Sequence, residues 1–285
     1  MTESPFDLNA WLRRIGLAGP LVPTLDTLRR VITAQSAAIP FESVGVLLGR
    51  VPQLDLPSLQ ARLVAGGRGG YCFELNALLR AGLKALGFEV VSCIGRVIRG
   101  MEPDAAGRPA THMLLRVELP EGSFLADVGF GNLTPTAPLL IAPNIEQATP
   151  HETMRLLPVG HELTLQAHIR EEWQSIYRFS PNPVDDIDYA VGNWYTATHP
   201  ASLFVSNMIV ARPGAEGLRC SLFNGRLTIR RAGQLVEQAM LADVAEHAAT
   251  LRDRLGLALP EAELTQALAE LGRRGTVGTT SPIFS

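Results

Sequence analysis

Cys72, His112 and Asp127 are the residues of this chain whose types and order best suit covalent chemistry. A thiol becomes a good nucleophile when an imidazole takes its proton and stays nearby as the cation. A carboxylate on the other ring nitrogen holds the imidazole and stabilises its positive charge. The order of the three residues along the chain is papain-like, but cysteine triads occur on unrelated folds, so their spacing alone does not identify a fold.

Cys72 lies in the segment 68–76, which reads Arg-Gly-Gly-Tyr-Cys-Phe-Glu-Leu-Asn. Leucines then recur with helical spacing, and Gly87 predicts the end of that helix. Cys72 is therefore expected at, or one residue before, a helix N-terminus, where unpaired N–H groups and the helix dipole favour a thiolate. By position alone, a small buried packing residue is an equally good interpretation of Cys72.

His112 and Asp127 fall in two predicted strands, 112–119 and 123–128, and the sequence 120–122 (Pro-Glu-Gly) indicates a turn between them. A connection with an even number of residues places both side chains on one face of the hairpin. An odd connection without a bulge places them on opposite faces. His199, which precedes a proline, is the weaker rival of His112. The other four histidines lie in contexts typical of surface or packing residues: His151, His161, His168 and His247.

The composition of the 285-residue chain excludes several classes of function. The formal net charge is −3, the pI is about 6.1 and no basic run occurs, so nucleic acid is not an expected partner. The three cysteines cannot all pair and lack the spacing of zinc ligands, which favours a cytoplasmic protein without a metal. We expect neither a secretory signal nor a membrane span, because the N-terminus lacks signal features and no run of about 18 apolar residues occurs.

The periodicity of the apolar residues predicts an α+β chain in three parts. Residues 1–88 show mainly helical spacing and carry the cysteine. Residues 89–190 change to a period of two, which predicts a small barrel or sandwich that carries His112 and Asp127. Residues 191–285 combine strands with helices at the C-terminal end, and we expect them to form a third domain.

Local signals also predict where individual elements begin. Thr24 is expected to cap the second helix, and Ser58 a short helix over residues 59–64. A strand is expected over residues 203–211 because they are mostly apolar, and Pro260 is expected in the first turn of the last helix.

The cysteine segment resembles the hallmark of the arylamine N-acetyltransferase family, Arg-Gly-Gly-x-Cys-x-Glu-x-Asn. It is matched by Arg68, Gly69, Gly70, Cys72, Glu74 and Asn76. The strand that begins with His112 and the segment 127–131 (Asp-Val-Gly-Phe-Gly) are similar to further family motifs. So is the segment 39–42 (Ile-Pro-Phe-Glu), although the family usually continues with Asn where this chain has Ser43. The resemblance covers essentially the whole chain.

The resemblance implies a fold, a triad and a reaction. The fold would be an N-terminal helical bundle, a central β-barrel and a C-terminal α/β lid, with Cys72, His112 and Asp127 as the catalytic triad. The reaction would be ping-pong: the thiolate takes the acetyl group of acetyl-CoA, and an arylamine or arylhydrazine nitrogen then takes it from the acetyl-cysteine. Acetyl-CoA would be the cosubstrate, and backbone N–H groups at the helix start would hold the oxyanion.

Several residues are expected to contact the substrates. The acceptor pocket is expected to be aromatic, and the candidates on that side are Phe130, Phe204, Tyr71, Phe41 and Thr111. The candidates for contact with acetyl-CoA are Gly129, Gly131 and Tyr195. For each aromatic residue, ordinary core packing is the alternative interpretation.

Three other functions remain open at this point. A cysteine hydrolase or a transglutaminase-like enzyme would use the same triad on amides. An amide synthase of the same fold would join an acyl chain to an amine, and a binding protein would not use Cys72 as a nucleophile. The sequence leaves the oligomeric state and the physiological acceptor undetermined.

Overall fold

The computed structural model describes residues 6–279 and begins with a bundle of helices. The first five residues, which belong to the segment judged to lack a secretory signal, lie outside this range. The elements of the N-terminal part are α1 (Leu8–Ile15), α2 (Leu25–Ala38), β1 (Phe41–Glu42), α3 (Val44–Leu47), α4 (Leu56–Leu59), a π-helical turn (Gln60–Ala65) and α5 (Cys72–Ala85). Trp11, Leu28 and Leu78 are fully buried between the helices of this bundle.

The caps of these helices follow local side-chain chemistry. The Thr24 hydroxyl accepts a hydrogen bond from Thr27 N at 3.3 Å, as expected for the start of α2. The prediction that Ser58 begins a helix over residues 59–64 was wrong. Helix α4 begins three residues earlier because Asp55 Oδ1 accepts from Ser58 N at 2.9 Å, and the chain then passes into the π-helical turn.

The central part of the chain forms a nearly closed, barrel-like sheet. Its strands are β2 (Glu89–Val97), β3 (His112–Leu119), β4 (Gly122–Ala126), β5 (Leu139–Leu140), β6 (Gln147–Ala148), β7 (Thr153–Val159), β8 (Glu162–Ile169) and β9 (Glu172–Phe179). Neighbours are antiparallel in the order β5-β4-β3-β2-β9-β8-β7-β6. Leu119 pairs with Gly122, so the connection between β3 and β4 is the even one, Pro120-Glu121.

The C-terminal part adds a second antiparallel sheet and three helices. Its elements are α6 (Asp186–Thr198), a 3₁₀ turn (Leu203–Val205), β10 (Ile209–Pro213), β11 (Leu218–Phe223), β12 (Arg226–Arg231), β13 (Gln234–Met240), α7 (Val244–Asp253) and α8 (Glu261–Arg274). The sheet order is β1-β10-β11-β12-β13, so a strand from the helical bundle completes the sheet of the lid. The α+β class and the bundle, barrel and lid expected from the sequence are confirmed.

Two predictions in the lid were wrong. The strand expected over residues 203–211 begins only at Ile209, because Asn207 Nδ2 donates to Leu203 O at 2.7 Å and closes a turn before it. Pro260 is the cap before α8 and does not lie in its first turn. Helix α6 was not anticipated at all, since exposed Ile187 and Trp194 weaken the contrast between its faces.

None of the helices within residues 6–279 is both long enough and apolar enough to cross a membrane.

A buried ion pair joins the two sheets. Arg219 on β11 donates from Nε to Glu152 Oε1 at 3.1 Å and forms a second bond from Nη2 to the same carboxylate. Its remaining nitrogen, Nη1, donates to Thr134 O at 2.9 Å. Both charged side chains are almost completely excluded from solvent, so each depends on the other for its neutralisation.

We therefore predict that Glu152→Gln destabilises the fold by about 3–5 kcal/mol, because it leaves a buried guanidinium without its counter-ion. The exposed pair of Arg231 and Glu216 provides the control, and Glu216→Gln should change the free energy of unfolding by less than about 1 kcal/mol. Urea denaturation measures both. Similar small effects of the two substitutions would contradict this account of the interface between the sheets.

Candidate active site

Cys72 is the first residue of α5, so its sulfur lies at the helix N-terminus. The turn that carries it is fixed by Glu74, whose Oε2 accepts a hydrogen bond from Tyr71 N at 3.1 Å. Cys72 Sγ lies 3.6 Å from Thr111 O, and the side chain is only slightly exposed. Backbone N–H groups of the first helical turn point toward this end of the helix and favour negative charge there.

His112 and Asp127 form a buried pair beside this helix end. His112 is the first residue of β3, and Asp127 follows the last residue of β4. Because the connecting turn has two residues, both side chains lie on one face, and His112 Nε2 is 2.7 Å from Asp127 Oδ2. Asp127 occupies Nε2, so Nδ1 is the ring nitrogen available to the Cys72 thiol, which lines the same cavity as His112.

The Asp127 carboxylate is fully buried but fully hydrogen-bonded. Its Oδ1 accepts from Asn76 Nδ2 at 2.8 Å and from Gly129 N at 2.8 Å, while Oδ2 faces His112. Asn76 also accepts from Val128 N at 3.0 Å and thereby holds the loop after β4 against α5. Asn76 is therefore a positioning residue of the pair that sequence reasoning recognised only as part of a motif.

The charges of the pair depend on each other. Burial by itself would lower the pKa of His112, but the charge and hydrogen bond of Asp127 outweigh it, and the pKa rises to about 10. Burial acts against ionisation of Asp127 as well. The imidazolium and the donors from Asn76 and Gly129 overcome that effect and hold the pKa of Asp127 below its usual range. The geometry thus favours an imidazolium–carboxylate pair next to the thiol.

Gly129 allows the barrel loop to approach the cysteine helix. A β-carbon at this position would lie 2.7 Å from Cys72 Cα and 2.8 Å from Asn76 Nδ2, both closer than real side chains come. A glycine here is therefore required by the close contact of two backbones. This contact brings the loop that carries Asp127 next to the residue that carries the sulfur.

A cavity of about 240 Å³ opens onto Cys72 and His112. It is lined by most of the predicted substrate-contacting residues: Phe41, Thr111, Gly129, Phe130, Tyr195 and Phe204. The rings of Phe41 and Phe204 lie 5.8 Å apart, and the Phe130 ring lies 5.2 Å from that of His112. Aromatic surface therefore surrounds the space in front of the sulfur.

The other two predicted contact residues, Tyr71 and Gly131, do not line this cavity. Tyr71 is fully buried behind Phe204, at 6.0 Å between ring centroids, and its hydroxyl bonds the side chain of Asn193. Gly131 lies behind Phe41, where a β-carbon would be 3.4 Å from the ring. Both residues support the wall of the cavity from outside.

Sequence reasoning did not anticipate that Val97, Arg99 and Arg108 line the cavity. Gly95 on β2 pairs with His112 on β3, Val97 lies two residues further along the same side of β2, and Arg99 lies in the turn after the strand. The alternation along β2 is visible in the sequence, but the register between β2 and β3 is not. Only that register places these residues next to His112.

The charged residues around the cysteine loop form a structural network. Glu42 Oε1 accepts from Arg68 Nη2 at 2.6 Å and from Arg62 Nη2 at 2.7 Å, so one carboxylate pairs with both arginines. Burial, with a contribution from the Glu42 charge, raises the pKa of Glu74 to about 7. The network clamps the loop that precedes Cys72 and does not line the cavity.

The two remaining cysteines do not share the environment of Cys72. Cys93 and Cys220 are buried, and burial raises the pKa of each thiol to about 11. Both are therefore neutral thiols near pH 7. Within residues 6–279, no group of three or more metal-ligating side chains is assembled.

Comparison with known proteins places these features in one family. A family model described as N-acetyltransferase matches residues 24–264. The chain is 40% identical over 256 residues to an arylamine N-acetyltransferase of Escherichia coli, with 90% of each chain covered. It is 40% identical over 277 residues to an arylamine N-acetyltransferase of Mycobacterium tuberculosis, covering 96% of this chain and 94% of the relative.

Solved structures agree with this comparison. The structure of Mycobacterium marinum arylamine N-acetyltransferase in complex with CoA superposes with a TM-score of 0.87 at 38% identity, covering 93% of this chain and 99% of the other. The arylamine N-acetyltransferase of Salmonella typhimurium gives a TM-score of 0.87 at 37% identity, with the same coverage of 93% and 99%.

The buried pair makes a prediction about stability and pH. The pKa of His112 is about 10 in the fold, against an ordinary value of 6.5. Protonated His112 therefore stabilises the fold fully below about pH 6.5, and this stabilisation is lost as the pH rises through about 10. In Asp127→Asn the charge that raises this pKa is absent. Between about pH 7 and 9, the free energy of unfolding should therefore fall by up to about 1.4 kcal/mol per pH unit in the wild type, with a much smaller slope in the variant.

Urea denaturation at several pH values measures this slope, and Asp104→Asn at an exposed position serves as the control. The control should keep the slope of the wild type. Equal slopes in the wild type and Asp127→Asn would contradict a charged pair at this site.

Proposed function

The chain belongs to the arylamine N-acetyltransferase family, and we propose that it acetylates arylamines and arylhydrazines by a ping-pong mechanism through an acetyl-cysteine at Cys72. As a member of this family it is an acyltransferase with acetyl-CoA as cosubstrate. One observation supports the mechanism most strongly. The imidazole of His112, paired with Asp127, lines the same aromatic cavity as a cysteine at a helix N-terminus.

In the first half-reaction, His112 holds the proton of Cys72 and the thiolate attacks the carbonyl carbon of the acetyl thioester. The bond between that carbon and the CoA sulfur breaks, and the imidazolium returns its proton to the leaving thiolate. The products are acetyl-Cys72 and free CoA. Backbone N–H groups in the first turn of α5 stabilise the oxyanion of the tetrahedral intermediate.

In the second half-reaction, the nitrogen of the acceptor attacks the acetyl group on Cys72. His112 takes the proton that the nitrogen loses, the bond to the Cys72 sulfur breaks, and the amide leaves. Asp127 stays ionised and keeps the imidazole in the orientation that serves both half-reactions. Exclusion of water protects the thioester from hydrolysis, and the burial of His112 and Asp127 supports this role.

The substrates would enter through the aromatic cavity. Phe41, Phe130 and Phe204 provide the surface for the acceptor ring, and Thr111 lies beside the catalytic residues. Gly129 and Tyr195 line the same space and would contact the acyl donor. For Tyr71 and Gly131 we propose an indirect role, which is to hold Phe204 and Phe41 in place.

Each of three units would supply one part of the site. The unit of residues 1–88 provides the nucleophile, the unit 89–190 provides His112 and Asp127, and the unit 191–285 provides Tyr195 and Phe204 as the wall of the cavity. A reactive free thiol at position 72 requires a reducing environment, which supports a cytoplasmic location for the enzyme.

The proposal predicts that acetyl-CoA without an amine adds one acetyl group to Cys72. Intact-mass and peptide mass spectrometry should find the label in the wild type and in Cys220→Ala, and should not find it in Cys72→Ser. Addition of an aniline or a hydrazide should remove the label and release the N-acetyl product. An unlabelled enzyme, or a label on another residue, would contradict the proposal.

A further inference from the structure

Arg99 is a cation inside the catalytic cavity with no use in the mechanism above. It lies in the turn after β2, it is half-buried, and it lines the cavity together with Cys72 and His112. Within residues 6–279 its guanidinium has no hydrogen-bond or ion-pair partner, whereas the buried Arg219 is fully engaged. A guanidinium carries five donors in one plane, so Arg99 presents unused donors to whatever enters the cavity.

The charge of Arg99 is also uncompensated. Burial, with the like charges of Arg219 and Arg230, lowers the pKa of Arg99 to about 10, and the carboxylate of Glu152 opposes this shift. That carboxylate is already bound by two nitrogens of Arg219. Arg99 remains protonated near pH 7, and an anion from the substrate would provide the missing counter-charge.

The remaining walls of the cavity define what would carry that anion. Phe41, Phe130 and Phe204 line the same cavity with apolar aromatic faces, which suit a flat aromatic ring. A ring with its amino group at Cys72 and an anionic substituent on its far side would use both the aromatic surface and the guanidinium. The pantetheine part of CoA is neither aromatic nor charged and would use neither.

We propose that Arg99 is a specificity-determining residue that binds the anionic substituent, such as a carboxylate, of an aromatic amine acceptor. Arginine binds carboxylates through two parallel charge-assisted hydrogen bonds, which select for position as well as for charge. The enzyme then prefers anionic arylamines to neutral arylamines of the same shape. This inference rests on the proposed function, because it concerns the second half-reaction at the same cavity.

The test compares two acceptors of nearly the same shape, 4-aminobenzoate and the uncharged 4-aminobenzamide. The acyl donor is p-nitrophenyl acetate, which carries no phosphate, so that contacts to CoA do not enter the measurement. Arg99→Gln should lower kcat/KM for 4-aminobenzoate roughly ten- to a hundredfold and change that for 4-aminobenzamide by less than about twofold. Arg99→Lys should retain part of the preference, because it keeps the charge but loses the planar pair of donors.

Arg29→Gln, which removes the same charge from an exposed position on α2, is the matched control and should leave both values unchanged. An equal loss of kcat/KM for the two amines in Arg99→Gln, or no loss for either amine, would overturn the assignment. Slower acylation of Cys72 by acetyl-CoA in Arg99→Gln, with unchanged selectivity between the amines, would also overturn it by placing Arg99 at the CoA phosphates. A wild-type enzyme that never acquires an acetyl group would instead refute the proposed function.

Discussion

The hydrogen-bonded pair of His112 and Asp127 is the interaction on which the rest of the site depends. Neither side chain is exposed to more than a trace of solvent, and burial of two charges is unfavourable unless they are paired and hydrogen-bonded. The 2.7 Å contact between them and the donors from Asn76 and Gly129 meet that condition. The pair is therefore stable in its charged form, and a proton on the imidazole is available to balance a negative charge on Cys72.

Three parts of the fold converge to place this pair against the sulfur. The start of α5 presents Cys72, the start of β3 presents His112, and the loop after β4 presents Asp127. The two-residue turn between the strands sets the register, and Gly129 allows the loop to touch the helix backbone. The ion-pair network around Glu42 fixes the loop before Cys72, so that the cysteine is held from both sides.

Much of this arrangement is local in origin and could be predicted from the sequence. The helix start at Cys72 follows from leucine spacing. The sequence left the parity of the turn open, and the pairing of Leu119 with Gly122 places His112 and Asp127 on one face. What could not be predicted depends on long-range contacts. Arg99 reaches the cavity only through the pairing of β2 with β3, and the side chain of Tyr71 turns away from the cavity because Asn193, on the unanticipated helix α6, bonds its hydroxyl.

The most direct measurement of the central claim is the rate of alkylation of Cys72 by iodoacetamide at about pH 6.5, where a free cysteine with a pKa of about 8.5 is almost entirely a thiol. Peptide mapping would assign the label to Cys72, the cysteine that lines the cavity, since burial raises the pKa of the other two thiols to about 11. The account predicts that Cys72 reacts at least about tenfold faster than free cysteine, and that Asp127→Asn removes this advantage while the protein stays folded by circular dichroism. Reaction at the rate of free cysteine, or an equal rate in Asp127→Asn, would contradict a thiolate sustained by the buried pair.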